Sequence, residues 1–587
     1  MEASAAAAAA GGLLGAVRAT LTRQRQVPPQ RSIAGQPPRV GDFVCHCGIN
    51  ISGVVNVQEV RDYAKTLPFV EYVTDNLYTC SQDTQVVLQD VISTHNLNRI
   101  VVAACTPRTH ESLFQETLSD AGLNKYLFEM ANIRNQDSWV HSGEPAKATD
   151  KAKDLVRMAV AKVALLEPLQ EPELSVTQKA LIIGGGVAGM IAAVNLADQG
   201  YPVQLVERSN RLGGQALSLH ATWRGEDVGS FVRDLIERVV NHPQITVHVS
   251  SRVANVDGFV GNFKTTIQNG GEPLTVEHGA AILATGGTEL QPEEYLYGRD
   301  GRVLTHQQLD RRFQEQDPAL KDIQTAVFIQ CVGSREPQRP YCSRVCCTHS
   351  VTSALELKRR NPDCDVYILY RDLRSYGERE SVYKEAREAG VLFIRYALEH
   401  KPQVEVVDGV LQVTVLDHVL QRPIRLRPDL VTLASAVLPE RDEALSQFFK
   451  VPVNDEGFYI EAHAKLRPVE FATDGVFLCG LAHFPKPIDE SIAQAQAAAS
   501  RAATLLSRET IQFSGAVAGT NQFLCSSCGV CVSICPYSAP RFNDKGKAEI
   551  NPALCKGCGL CVASCRSGAI QLKGFDDAQI FAMIDSI

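Results

Sequence analysis

Short apolar runs set between stretches of helical periodicity fill most of the chain. Near the start, RVGDFVCHCG reads as a strand, VQEVRDYAKTL as an amphipathic helix, and RIVVAACTPRTH as a buried strand running into a loop. Residues 146 to 168 are helical in pattern throughout and end at Pro168. From 178 to 510, short apolar strands alternate with helices, which predicts a parallel sheet. Two openings in that region match one another. KALIIGGGVAGMIAAVNLADQGYPVQLVER begins at 179; TAVFIQCVGSR, then SVTSALELKRR, then DVYILYR, begins at 325. Each predicts strand, turn, helix, strand. The expected fold class is therefore α/β, a core of two dinucleotide-fold units with a small N-terminal α/β domain and a cysteine-rich C-terminal domain.

The length, 587 residues, allows three or four domains. A net charge of −8 with no basic block argues against a nucleic-acid partner. Residues 3 to 17 are apolar to small, but Glu2 precedes them where a secretory leader would carry positive charge, and the run is short for a membrane span. Arg18, Arg23, Arg25, Arg31 and Arg39 follow it and faintly suggest a transit peptide. The simpler expectation is a disordered, low-complexity tail. With no membrane span in the pattern, a cytoplasmic protein is expected by default.

The eighteen cysteines sharpen this picture because they cluster. Clustered cysteines in a long chain of this kind point to metal rather than disulfides. Cys525-x2-Cys528-x2-Cys531-x3-Cys535-Pro536 is the bacterial ferredoxin run, and it recurs as Cys555, Cys558, Cys561 and Cys565. In such a pair each run lends its fourth cysteine to the other cluster. Cys525, Cys528, Cys531 and Cys565 are then one 4Fe–4S set, and Cys555, Cys558, Cys561 and Cys535 the second. The spacing alone also allows tetrahedral zinc. Arg566 stands where the second run would often carry proline.

In the first dinucleotide unit, Gly184, Gly186 and Gly189 form Gly-x-Gly-x-x-Gly between the strand ALII and a helix that opens at Val187 and Ala188, and Glu207 ends the next strand. Glycines there let a pyrophosphate approach the backbone at a helix start, and the acid accepts from ribose hydroxyls. Arg208, Gly213, Gly214 and Gln215 follow; AAILATGG brings Ala284, Thr285 and Gly286; Gly480 precedes a late helix. This ordered set resembles thioredoxin-reductase-like flavoproteins over about 179 to 505, which implies FAD.

The second unit departs from the pattern. Cys331 stands where the phosphate turn would begin, and the lengthened loop carries Cys342, Cys346 and Cys347. The readings are a third cluster or a redox-active or zinc-binding thiol patch; with a cluster, the unit would bind no nicotinamide nucleotide. Cys45, Cys47, Cys80 and Cys105 follow strand-like segments whose ends could converge on a fourth cluster, or they are core residues. Neighbouring His46, His95 and His110 read as polar rather than ligating, and Cys364 and Cys479 as buried apolar residues. No catalytic nucleophile or general base is expected.

CHCGINISGVVNV, CTPRTHESLF, NKYLFEMANIRNQDSWVH, IGGGVAGM, CVGSREPQRPYCSRVCC and the doubled ferredoxin run together resemble the A-type subunit of heterodisulfide reductase, over about residues 40 to 580. The resemblance implies an FAD and iron–sulfur electron-transfer subunit with clusters at all four cysteine quartets, in which the flavin can split electron pairs between ferredoxin and a disulfide-reducing route. It implies partners of the B and C subunit types, a hydrogenase, dehydrogenase or small iron–sulfur subunit, ferredoxin, and a homodimer within the complex. One departure stands out. Gly213-Gly214-Gln215 runs straight into ALSLHATWRGED, without the ferredoxin domain that longer members insert there. The expected domains are the tail, 1–40; the N-terminal iron–sulfur domain, 41–145; a helical linker, 146–177; the FAD-binding domain, 178–324 and 430–510; the modified second unit, 325–429; and the ferredoxin domain, 521–575. An NAD(P)H oxidoreductase similar to the small subunit of glutamate synthase is the alternative, and a zinc-holding scaffold a third.

Overall fold

The computed structural model describes residues 1–18, 20 and 26–587. Arg23 and Arg25 of the arginine-rich stretch lie outside them. The chain divides into two compact units, Met1–Leu21 with Ser175–Ile511, and Thr22–Leu174 with Gln512–Ile587.

The first unit contains two five-stranded parallel sheets built alike. One runs Val476–Leu478, Ala280–Leu283, Ala180–Ile183, Val203–Val206, Ile245–His248. The other runs Val303–Thr305, Leu430–Ser435, Thr325–Val332, Asp365–Tyr370, Leu392–Arg395. Both faces of each sheet are covered, so the strands read as continuous apolar runs. Successive residues feed opposite cores: Ala180 and Ile182 pack on one side of the first sheet, Leu181 and Ile183 on the other. Ala326 and Phe328 part from Val327 and Ile329 in the same way. Each sheet carries a three-stranded antiparallel meander, Arg252–His278 in one and Gln403–Leu426 in the other. A two-stranded ribbon, Gly287–Glu289 with Val437–Pro439, joins the halves.

That ribbon moves a boundary. Leu430–Ser435, read from the sequence as part of the FAD-binding domain, lies inside the second sheet beside Thr325–Val332. Val303–Thr305 and the helix His306–Gln314 belong with it. Apolar strands of two stacked α/β units look alike, and only pairing separates them. The alanine-rich start also differs from the disordered tail expected: Glu2–Leu13 is a helix packed on the helix Ile488–Leu506. Alanine has the highest helix propensity, and Ala5 and Ala8 are small enough to seat it closely.

The second unit holds a four-stranded parallel sheet, Val70–Asn76, Val40–Cys45, Arg99–Ala104, Phe128–Asn132. The helix Pro145–Ala164, expected as a linker, is part of this core through Ala148, Ala152, Val156 and Val163. Its Lys162 is buried and pairs with Glu129 at 2.7 Å. The cysteine-rich domain has two short ribbons, Ala518–Thr520 with Ile570–Leu572 and Pro540–Phe542 with Ala548–Ile550. Two short helices, Val530–Ile534 and Leu560–Ala563, follow glycines at φ 78°. The closing helix Asp577–Asp585 begins with a capping box of Asp576 and Gln579 and packs on Pro145–Ala164. Among the described residues no helix is long and apolar enough to cross a membrane.

Candidate functional site

The carboxyl ends of the first sheet open onto a cavity of about 350 Å³. It is lined by Gly184, Gly186, Val187, Ala188, Glu207, Arg208, Gly213, Gly214, Gln215, Ala284, Thr285, Gly286 and Gly480. This is where a parallel sheet binds dinucleotides. Gly184 has φ +115°, and a Cβ on it would meet the Ala284 carbonyl at 2.2 Å. A Cβ on Gly186 would meet nothing within 4 Å, so that backbone faces open space. Gly189 is the exception among the expected cofactor residues. It does not line the cavity, and a Cβ there would sit 1.8 Å from the Gly184 carbonyl, so its role is close packing of helix on strand. Glu207 accepts from the Gly185 amide at 2.6 Å and the Ser209 amide at 2.8 Å, which holds the acid at the rim of the glycine turn. Arg208 pairs with Glu440 at 2.8 Å. The Thr285 hydroxyl is buried in the lining and has no hydrogen-bond partner among the described residues. An open glycine backbone, a held acid and an orphaned hydroxyl fit FAD.

A second cavity, about 170 Å³, shares Gln215, Leu219, Gly287, Leu481, Lys486 and Ile488 with the first and reaches Cys346. Cys331, next to last in the strand Thr325–Val332, has φ +59°, a left-handed backbone that favours glycine. The helix expected from Ser350 in fact starts at Cys346, so Cys346 and Cys347 occupy its first turn, where the helix dipole favours thiolate. Cys346 lies within electrostatic reach of Cys331, Cys342 and Cys347. The hydrogen bond that Cys346 and Cys347 share raises the first thiol and lowers the second to about 7. The Arg344 amide donates to the Cys342 sulfur at 3.3 Å, and Arg335 reaches the Cys331 sulfur at 3.8 Å. Arg335 also pairs with Asp372 at 2.5 Å. Cationic and N–H donors around four clustered sulfurs are what an anionic cluster needs.

Sequence reasoning missed several lining groups because they come from distant segments. Lys486 is one. A buried polar set on the inner cavity is another: His349 meets Asp310 at 3.0 Å, His306 meets Ser350 at 2.7 Å, and the two imidazole rings are 4.3 Å apart. Burial opposes charge on His349, but Asp310 outweighs it and raises the group; burial holds His306 far below the ordinary range.

In the second unit, Cys525, Cys528, Cys531 and Cys565 line one small cavity, and Cys535, Cys555, Cys558 and Cys561 another. This is the exchanged grouping expected from the doubled run. The Ala548 amide donates to the Cys525 sulfur at 3.4 Å. Cys45 ends one strand, Cys105 follows its neighbour, and Cys47 and Cys80 lie beside them at the same end of the sheet. The Thr79 amide donates to the Cys45 sulfur at 3.4 Å and Arg134 to Cys47 at 3.4 Å. His46 pairs with Asp75 at 2.8 Å. All eighteen cysteines are free, and Cys364 and Cys479 are buried. No group of three or more His, Cys, Asp or Glu among the described residues converges on a single-ion site. Each ferredoxin quartet lines a cavity of its own, and Cys45, Cys47, Cys80 and Cys105 share a sheet end.

A pyridine nucleotide-disulphide oxidoreductase family model matches residues 178–327, and a 4Fe-4S dicluster domain model matches 524–572. The second of the A-type iron-sulfur subunits of CoB--CoM heterodisulfide reductase from Methanopyrus kandleri is 37% identical over 87% of this chain and 92% of its own length. The A-type subunit of H(2):CoB-CoM heterodisulfide,ferredoxin reductase from Methanothermobacter thermautotrophicus is 37% identical over 94% and 97%. That second alignment runs to 649 positions, longer than this chain, so the relative carries additional segments. Among solved structures, the thioredoxin reductase of Lactococcus lactis covers 56% of this chain and 98% of its own, at 17% identity and a TM-score of 0.40.

Proposed function

Since the chain belongs to the family of A-type heterodisulfide reductase subunits, it is an oxidoreductase subunit of the FAD and 4Fe–4S electron-transfer kind, and we propose that its residues bring a flavin and a Cys331/Cys342/Cys346/Cys347 cluster into neighbouring cavities, with further clusters at the two ferredoxin quartets and at Cys45, Cys47, Cys80 and Cys105. A flavin exchanges electrons in pairs or singly and a cluster singly, and that difference is the chemistry these groups supply when bound. The chain's own residues do the rest. The Gly184–Gly186 turn and Glu207 orient the dinucleotide, Thr285 offers a hydroxyl with no other partner, and the arginines of the cysteine loop balance thiolate charge.

The observation that carries this reading is that the cavity reaching Cys346 shares six lining residues with the cavity behind the glycine turn. The nicotinamide-dependent alternative finds no comparable support. Its phosphate cradle in the second unit would need an open glycine where Cys331 stands, and a free helix start where Cys346 and Cys347 stand. The partners proposed are B- and C-type subunits of a heterodisulfide-reductase-like complex, a hydrogenase, dehydrogenase or small iron–sulfur donor, and ferredoxin, with a homodimer at its centre and the FAD dividing electron pairs.

Anoxic preparation followed by iron, acid-labile sulfide and flavin analysis tests it. Four clusters require about 16 iron per flavin. A Cys347→Ser variant is expected to lose one paramagnetic cluster signal and keep the ferredoxin signals. About 8 iron, or an unchanged spectrum in that variant, sinks the assignment of the two unusual quartets.

A further inference from the structure

Lys486 is a cation in an unusual place. Its side chain is buried, 3% exposed, and it lines both the cavity behind the glycine turn and the inner cavity that reaches Cys346. Its ammonium donates to the carbonyls of Gly480 at 2.6 Å and Phe484 at 3.1 Å, and it lies 3.9 Å from the Phe484 ring centroid. Among the described residues it has no carboxylate partner. A buried ammonium held only by carbonyl dipoles is destabilised unless something anionic shares its site.

The turn that carries Lys486 is tied to its surroundings by side-chain hydrogen bonds. Gln494 accepts from the Gly480 amide at 3.0 Å and meets His483 Nδ1 at 2.7 Å, and His483 Nε2 meets Glu461 at 2.8 Å. Arg344 donates to the Pro485 carbonyl at 3.2 Å and ties the cysteine loop to the same turn. The dinucleotide's position follows from chemistry. The pyrophosphate belongs at Gly184–Gly186 and the adenosine ribose at Glu207, so the flavin end must extend the other way, along Gly480 to Ile488.

We propose that the Lys486 ammonium is the fixed counter-charge for the flavin ring in its reduced, anionic form, and so sets the potential at which this cofactor takes up an electron pair. The inference rests on the reading of the cavity as an FAD site. Reduction of the ring adds two electrons, supplied by the reductant, and one proton, and leaves one negative charge; Lys486 keeps its own proton and neutralises that charge. Desolvation pushes Lys486 down to about 7, against the opposing pull of Cys479, while Arg344 lowers it further and Glu490 and Glu461 raise it. Asp489, Glu289, His306, His349 and Arg379 also face the inner cavity. Because the lysine is lowered, its charge is present before reduction only below about pH 7; above it the neutral amine takes up a proton as the ring is reduced, so two protons rather than one accompany the electron pair.

The test is anaerobic titration of the flavin absorbance in the holoprotein with titanium(III) citrate, comparing wild type, Lys486→Met and Lys486→Arg. At pH 6.5 the Met variant should reduce at least tenfold less favourably, a fall of about 30 mV for an electron pair, with flavin content unchanged. Wild type and the Arg variant should agree at pH 6 and part above pH 7, with the Arg variant at the higher potential because guanidinium keeps its proton. Equal potentials in a flavin-replete Met variant overturn the proposal. If that variant fails to hold flavin, a wild type and Arg variant that stay together from pH 6 to 9 overturn it instead. A wild type without flavin overturns the FAD reading itself, a result distinct from either.

Discussion

The two glycines that bracket the first helix turn should fail in opposite ways when each is changed to alanine. At Gly189 the new Cβ would lie 1.8 Å from the Gly184 carbonyl, where real carbon atoms do not come within about 3 Å. The helix Val187–Asp198 must therefore lift by more than 1 Å from a sheet it packs against through Met190, Ala193 and Val194. Overpacking of this kind is worth about 1–3 kcal/mol. At about 2–4 °C per kcal/mol for a large domain, the melting temperature of flavin-free protein should fall by several degrees. At Gly186 the backbone is at φ −74°, ψ 179°, which any residue adopts, and the methyl meets nothing. The flavin-free melting temperature should move by less than a degree or two. The same methyl projects into the FAD cavity, and displacing a pyrophosphate contact by that amount should weaken FAD at least tenfold, or about 1.4 kcal/mol. Scanning calorimetry on flavin-free protein and fluorescence titration with FAD separate the two effects. Gly186→Ala binding FAD like wild type would show that the open backbone is not the phosphate approach. An unshifted melt for Gly189→Ala would show that the close contact relaxes without loss.

Three further outcomes follow from particular contacts. Lys162→Ala should destabilise the second unit by about 3 kcal/mol in urea unfolding, the low end for a buried pair because the Glu129 carboxylate it strands is only partly buried, and Lys162→Met with Glu129→Gln should recover most of that loss. Cys331→Gly should raise the stability of cluster-free protein by about 1 kcal/mol by relieving the φ +59° backbone, while iron analysis of the anoxic protein should fall by about four per chain. His278 is buried between Thr265 at 2.8 Å and the Ala280 carbonyl at 3.0 Å, and burial depresses it to about 4. The unfolded chain binds this proton first as pH falls, so the stability held by neutral His278 is lost between about pH 6.5 and 4. His278→Asn should flatten the acid limb of the melting-temperature profile; an unchanged limb refutes the assignment to His278.

What could be read in advance was chemistry written as local spacing. A glycine turn between strand and helix, and a cysteine every third residue, each place their atoms through a few consecutive dihedrals, so Gly184 and Gly186 line the first cavity and each ferredoxin quartet lines one of its own. What could not be read depends on which segments meet. Leu430–Ser435 has the same apolar character as strands of either sheet, and only hydrogen-bond register assigns it. Gly189 looks like a ligand glycine, yet its missing Cβ serves packing. Lys486 sits in an ordinary PKPID stretch, far along the chain from the glycine turn whose cavity it shares, and no spacing rule connects them. The duplicated architecture then gives the two halves separate work. Both sheets end in a turn before a helix start, the natural cradle for phosphate. In the first the turn is left open by glycine. In the second a left-handed cysteine begins it and two more cysteines open the helix, so the dipole that would hold a phosphate favours thiolate instead. A third cavity of about 450 Å³ adjoins the inner one on the side that Trp223, Thr222 and Thr352 line, and that side is the predicted entry for a donor of electron pairs. Trp223→Ala should accordingly speed flavin reduction by a small soluble dithiol or dithionite in stopped flow, while leaving reduction through the clusters unchanged; equal rates for both routes would place the entry elsewhere.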